Sequence, residues 1–71
     1  MEDFSAERLR TARIDLGLTQ LNFADKVGIS LRALRYYEEG RRQPRSNDLK
    51  RICEVTGKPL DFFFSSEGTT P

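Results

Sequence analysis

Apolar side chains recur along this chain at spacings of three and four, and the recurrence is interrupted and restarted several times. Leu9, Ala12 and Leu16 form the first stripe, with Arg8, Arg10 and Asp15 off it, as one face of an amphipathic helix requires. Ser5 stands at the N-cap and Gly17 supplies a left-handed stop, so the pattern predicts a helix from Ala6 to Leu16. Thr19 then caps a second helix, Gln20 to Val27, whose inward face is Phe23, Ala24 and Val27 and whose end is Gly28. Only Gly28, Ile29 and Ser30 precede the third, Leu31 to Glu39, in which Ser30 caps and Leu34 and Tyr37 face inward until Gly40. The stretch Gly40 to Arg45 reads as a loop, since Pro44 disfavours helix just before it. Ser46 caps a fourth helix carried by Leu49, Ile52 and Cys53 and stopped by Gly57. Pro59 suits the first turn of a short fifth helix, Leu60 to Phe64, followed by a polar tail. Period-two alternation never persists and β-branched residues are sparse, so the expected fold is all-α: five short helices in one domain over residues 5–64, with residues 65–71 as the tail.

Composition narrows the chemistry. The 71 residues contain no His and a single Cys, which excludes an intramolecular disulfide, the commonest zinc-ligand sets and every His-dependent catalytic device. Glu38 and Glu39 are adjacent and point to different faces of a helix, so they do not form an acid–base pair. No enzyme, metal or cofactor is expected. The apolar run from Leu60 to Phe64 is broken by Asp61 and falls far short of the roughly 20 residues that span a bilayer. No membrane association is expected, and the lone Cys53, read as a core residue without redox activity, suits a reducing cytoplasm.

The formal net charge of +1 conceals an uneven layout. Between residues 32 and 51 lie seven basic side chains (Arg32, Arg35, Arg41, Arg42, Arg45, Lys50, Arg51) against three acidic ones (Glu38, Glu39, Asp48). The remainder of the chain is correspondingly acidic. Such a layout attracts a polyanion to one face only. The same block adjoins two helices joined by a three-residue turn that begins with Gly, the geometry of a helix-turn-helix. Within it, small Ala24 allows a close helix crossing, Gly28 permits positive φ, and Phe23, Val27, Ile29, Leu34 and Tyr37 wedge the two helices together.

The run Gly17-Leu18-Thr19-Gln20, then Phe23-Ala24, Val27-Gly28-Ile29-Ser30, Leu34, Tyr37-Glu38, Gly40, Pro44 and Leu60-Asp61, resembles the lambda-repressor-like (Cro and repressor, XRE-type) helix-turn-helix family. The resemblance extends from about Leu9 to Phe64. It implies a five-helix transcriptional regulator, a repressor of bacterial or phage origin, that binds a palindromic double-stranded DNA operator as a homodimer in the cytoplasm. Carried onto this sequence, it implies base reading by Leu31, Arg32, Arg35 and Tyr36, and phosphate binding by Gln20, Ser30, Arg41, Arg42 and Arg45. It also implies a structural ion pair between Arg13 and Glu38. Thr56 and Lys58 depart from the family's usual apolar residues, and Pro59 from its usual Ser, which implies a looser join between the last two helices.

Two other readings compete. Leu34-Arg35-Tyr36-Tyr37-Glu38-Glu39-Gly40 is also similar to the end of a MerR-type recognition helix, although a full helix precedes it here and no aromatic residue follows before Phe62 to build a wing. A protein-interaction module would use Leu21, Leu31 and Phe62 as exposed apolar residues. Phe62, Phe63 and Phe64 fall in succession, and at about 100° per residue one short helix cannot turn all three inward. Phe62 is therefore expected at the surface, as the dimer contact. With no room for a ligand-sensing domain, the chain reads as a minimal regulator or the N-terminal part of a longer one.

Overall fold

The computed structural model describes residues 3–64, and every regular element in them is helical. In chain order these are α1 (Ala6–Asp15), α2 (Gln20–Val27), α3 (Leu31–Glu38), α4 (Ser46–Thr56) and α5 (Leu60–Phe64). The tail expected at 65–71 lies outside the described residues. Local chemistry sets three of the helix starts as expected. The Ser5 hydroxyl accepts from the Arg8 N–H, Thr19 from Asn22 and Ser30 from Ala33, and a cap of this kind contributes about 1 kcal/mol.

The fourth start differs. Ser46 is the first helical residue and not the cap, which is Arg45, in extended backbone and without a side-chain cap bond. Asp48, in the first turn, places its charge at the positive end of the helix and accepts a 2.7 Å hydrogen bond from the Tyr37 hydroxyl. This contact ties α4 to α3. Burial, with the hydrogen bond and charge of Asp48 behind it, pushes the Tyr37 phenol above its ordinary value of 10.0. A raised folded value means that the contribution is complete below pH 10 and is lost as pH climbs through the folded value. Tyr37→Phe should accordingly lose about 1–2 kcal/mol at neutral pH. It should also flatten the fall in stability above pH 10, and urea denaturation at the two pH values checks both effects.

Leu9, Ala12, Phe23, Ala24, Val27, Leu34, Tyr37, Ile52 and Phe63 form the core, joined by Phe4. Leu16 does not belong to it. The chain wraps at the end of α1, with Gly17 N–H bonded to the Ile14 carbonyl and Leu18 N–H to that of Arg13, so Leu16 is 44% exposed and Leu18 packs in its stead.

Phe62, expected at the surface, is half-buried and packs in part against the core. Its ring stands edge-on to Phe63 at 5.1 Å, with the Arg8 guanidinium 4.8 Å and the Lys58 ammonium 5.0 Å from its centroid. The three successive rings are accommodated because surfaces outside α5 receive them. Phe4 stacks on Phe63 and meets Phe64 edge-on, while the Ser5 N–H bonds the Phe63 carbonyl at 2.7 Å. Thr56, at the join of α4 and α5, gives its hydroxyl to the Ile52 carbonyl at 2.7 Å and accepts from the Lys58 N–H, so a polar clasp stands where an apolar contact is usual. Cys53 is half-buried, and burial pushes its thiol up, which keeps it protonated.

Candidate nucleic-acid interface

Gly28 closes α2 with φ 85°, and Ile29 and Ser30 complete a turn that starts α3 on its Ser30 cap. A side chain at position 28 would be strained by that φ, although its Cβ would meet the Arg51 guanidinium only at an ordinary contact distance of 3.5 Å. The turn thus fixes α3 relative to α2 over the close crossing at Ala24, 2% exposed. Leu34 and Tyr37 hold α3 to the core, so its opposite side faces outward. There Arg32 and Arg35 are exposed, whereas Leu31 and Tyr36 are half-buried. Leu31, Arg32, Arg35, Tyr36, Glu39 and Arg41 line one shallow concavity.

The basic loop is brought back to this concavity by the end of α3. Gly40, at φ 76°, lets the Arg41 N–H reach the Tyr36 carbonyl at 3.0 Å and its own N–H reach that of Tyr37. Arg41 and Arg42 consequently fold over the helix that precedes them. The guanidinium carbons of Arg32, Arg41 and Arg42 lie 5.9, 6.0 and 5.5 Å from the Tyr36 ring centroid. Arg41 also pairs with Glu39 at 3.0 Å, an exposed contact of small energetic weight. Arg45 is exposed at the start of α4.

Behind the surface lies the Glu38 carboxylate. Arg13 donates to it through Nε at 2.7 Å and Nη2 at 3.3 Å, and the Gln20 amide donates to Oε1 at 3.0 Å. Arg13 further bonds the Leu18 carbonyl, and Arg10 bonds the Glu38 carbonyl. One carboxylate therefore joins α1, α2 and α3. Among the described residues no buried side-chain polar atom lacks a partner. Gln20, read as a phosphate ligand, spends one amide hydrogen on Glu38 and keeps the second. Ser30 uses its oxygen as the cap acceptor and keeps its hydroxyl hydrogen.

Sequence reasoning missed Arg10, which had been placed only as an off-stripe polar residue, and Phe4, which has no periodic apolar neighbour. Leu21 is 63% exposed, as its position off the inward face suggested, whereas Leu31 is half-buried. Phe62 is not part of the surface formed by α3 and its loop. On the α4–α5 side a separate groove has Leu49, Cys53, Pro59 and Leu60 in its lining, with Lys50, Glu54 and Lys58 beside them.

Comparison with known proteins gives the family and the fold. Residues 9–63 match the family described as Helix-turn-helix. An HTH-type transcriptional regulator of Bacillus subtilis, YqaE, is 37% identical over 62 residues, which are 87% of this chain and 53% of that protein. The clp gene regulator ClgR of C. glutamicum superposes with a TM-score of 0.75 at 27% identity, covering 93% of this chain and 87% of that one. The P22 c2 repressor, solved with a synthetic operator, shares the fold at a TM-score of 0.80 and 23% identity, over 84% of this chain and 91% of its own. The chain spans about half the length of the curated relatives it matches. No helix among the described residues is long and apolar enough to cross a membrane.

Proposed function

Because the chain belongs to the lambda-repressor-like (XRE-type) helix-turn-helix family, we propose that it binds double-stranded DNA sequence-specifically as a transcriptional regulator, with α3 in the major groove. The observation that carries this reading is the gathering of Leu31, Arg32, Arg35 and Tyr36 of α3 with Arg41 of the following loop around one concavity, in a chain whose net charge is only +1. Arg32, near the start of α3, suits bidentate bonding to guanine O6 and N7, and Leu31 suits a thymine methyl. Arg35 and Tyr36 complete the face turned to the bases. Arg41, Arg42 and Arg45 supply phosphate contacts, joined by the remaining amide hydrogen of Gln20 and the Ser30 hydroxyl.

The regulator acts as a repressor in a bacterial or phage-encoded setting, in the cytoplasm, and as a homodimer on a palindrome. One module reads too few bases to select a genomic site, since each mismatch costs about 1–3 kcal/mol. Two copies placed about 34 Å apart read half-sites one turn apart. Because the Phe62 ring is half-buried and engaged by Arg8 and Lys58, the α4–α5 groove is the better dimer surface. Leu60 is 52% exposed there, and Glu54, Lys50 and Lys58 beside it offer charges of both signs to a two-fold contact.

Selection of bound duplexes from a random pool tests the reading. An inverted repeat is expected, and single half-sites would remove the dimer. Arg32→Ala should weaken binding to the selected duplex by about 1–3 kcal/mol and relax preference at one or two base positions in each half-site. If the mutant selects the same sequence as the parent, Arg32 is not a base reader. Failure to enrich any sequence would favour the protein-interaction module.

A further inference from the structure

We infer that Tyr36 is a positioning residue whose ring gathers Arg32, Arg41 and Arg42 into one cluster before DNA arrives, tying the base-reading helix to the phosphate-binding loop. The inference rests on the DNA-binding reading above. Three guanidinium groups lie within 5.5–6.0 Å of one ring centroid, although they repel one another and, among the described residues, only the carboxylate of Glu39 is paired with any of them. The electron-rich ring face is what attracts them. The covalent path explains why they meet there. Arg32 lies one turn before Tyr36 on α3, and the Gly40 reversal, held by the Arg41 N–H on the Tyr36 carbonyl, returns Arg41 and Arg42 to the same residue.

Long exposed arginines lose side-chain freedom when they grip DNA, and a platform that holds them beforehand reduces that cost. Tyr36 then acts through its ring face and not its hydroxyl. Phe supplies the same face, whereas Leu supplies similar bulk without it.

The test compares the parent with Tyr36→Phe and Tyr36→Leu in two measurements. In the free protein, nuclear magnetic resonance should show ring-current shifts of the Arg32, Arg41 and Arg42 side-chain protons that persist in Tyr36→Phe and disappear in Tyr36→Leu. Thermal melting should be close to the parent's in both variants. On a duplex selected by the parent, Tyr36→Leu should bind about tenfold more weakly, and Tyr36→Phe should lose clearly less, since it keeps the ring face that holds the arginines. Adding Arg42→Ala to Tyr36→Leu should weaken binding less than the product of the two single effects. Parent spectra without those shifts would overturn the platform. So would equal losses in Tyr36→Phe and Tyr36→Leu, which would assign the hydroxyl, or fully multiplicative effects in the double variant. If the shifts behave as expected but the parent enriches no duplex, the DNA-binding reading fails and the ring–arginine cluster stands without it.

Discussion

Truncating Glu38 to alanine is expected to cost about 3–5 kcal/mol, because it leaves a paired cation without its partner away from water. The Glu38 side chain is 2% exposed and that of Arg13 14%. Removal of the carboxylate also strands the Gln20 amide, so α1, α2 and α3 lose their common polar tie at once. A small domain holds only about 5–15 kcal/mol in total, and a chain of 71 residues belongs at the low end. Urea denaturation should therefore find Glu38→Ala largely unfolded or close to it. Glu38→Gln, which keeps an acceptor for Arg13, should lose less. Replacing both partners with apolar residues, Glu38→Leu with Arg13→Met, should recover most of the loss, since the penalty lies in the unpaired charge more than in the missing attraction. A Glu38→Ala protein within about 1 kcal/mol of the parent would show instead that water reaches Arg13 freely.

That network shows where sequence reading stops. The helices were legible because their apolar spacing, serine and threonine caps and glycine ends all specify the same limits, and such local agreement survives tertiary packing. Leu16 misled because a periodic stripe takes no account of the turn that ends its helix. Two hydrogen bonds to the Arg13 and Ile14 carbonyls rotate Leu16 outward and bring Leu18 in. Phe62 is less exposed than its position in α5 suggests, for a different reason. The angular argument considered α5 alone, whereas Phe4, Arg8 and Lys58 bring in surfaces from α1, the segment before it and the α4–α5 join. Contacts between residues more than fifty positions apart leave no periodic trace. At the candidate interface the residue types were readable from charge and family resemblance. Their convergence on Tyr36 was not, because it depends on the direction in which Gly40 sends the chain and on the second residue beyond it.

Affinity for a palindromic duplex is expected to fall about a thousandfold between about 50 and 200 mM salt, if Arg41, Arg42 and Arg45 of two copies each neutralise a phosphate. Six such contacts give a slope of log affinity on log salt of about −5, because each releases nearly one condensed counterion. Arg41→Ala or Arg42→Ala should weaken binding evenly across sequences. Either removes two contacts per dimer and should lower the slope by about two. These arginines are exposed, which leaves their charge available to a polyanion and makes their loss nearly neutral for folding. Arg32→Ala differs in kind, since a base reader alters which sequence is preferred. Fluorescence anisotropy over a salt series, with stoichiometry measured at saturation, separates the possibilities. A slope near −3 with one chain per duplex would indicate a monomer, a sequence-selective loss in Arg41→Ala would move that residue among the base readers, and a slope near zero would remove phosphate contact from this surface altogether.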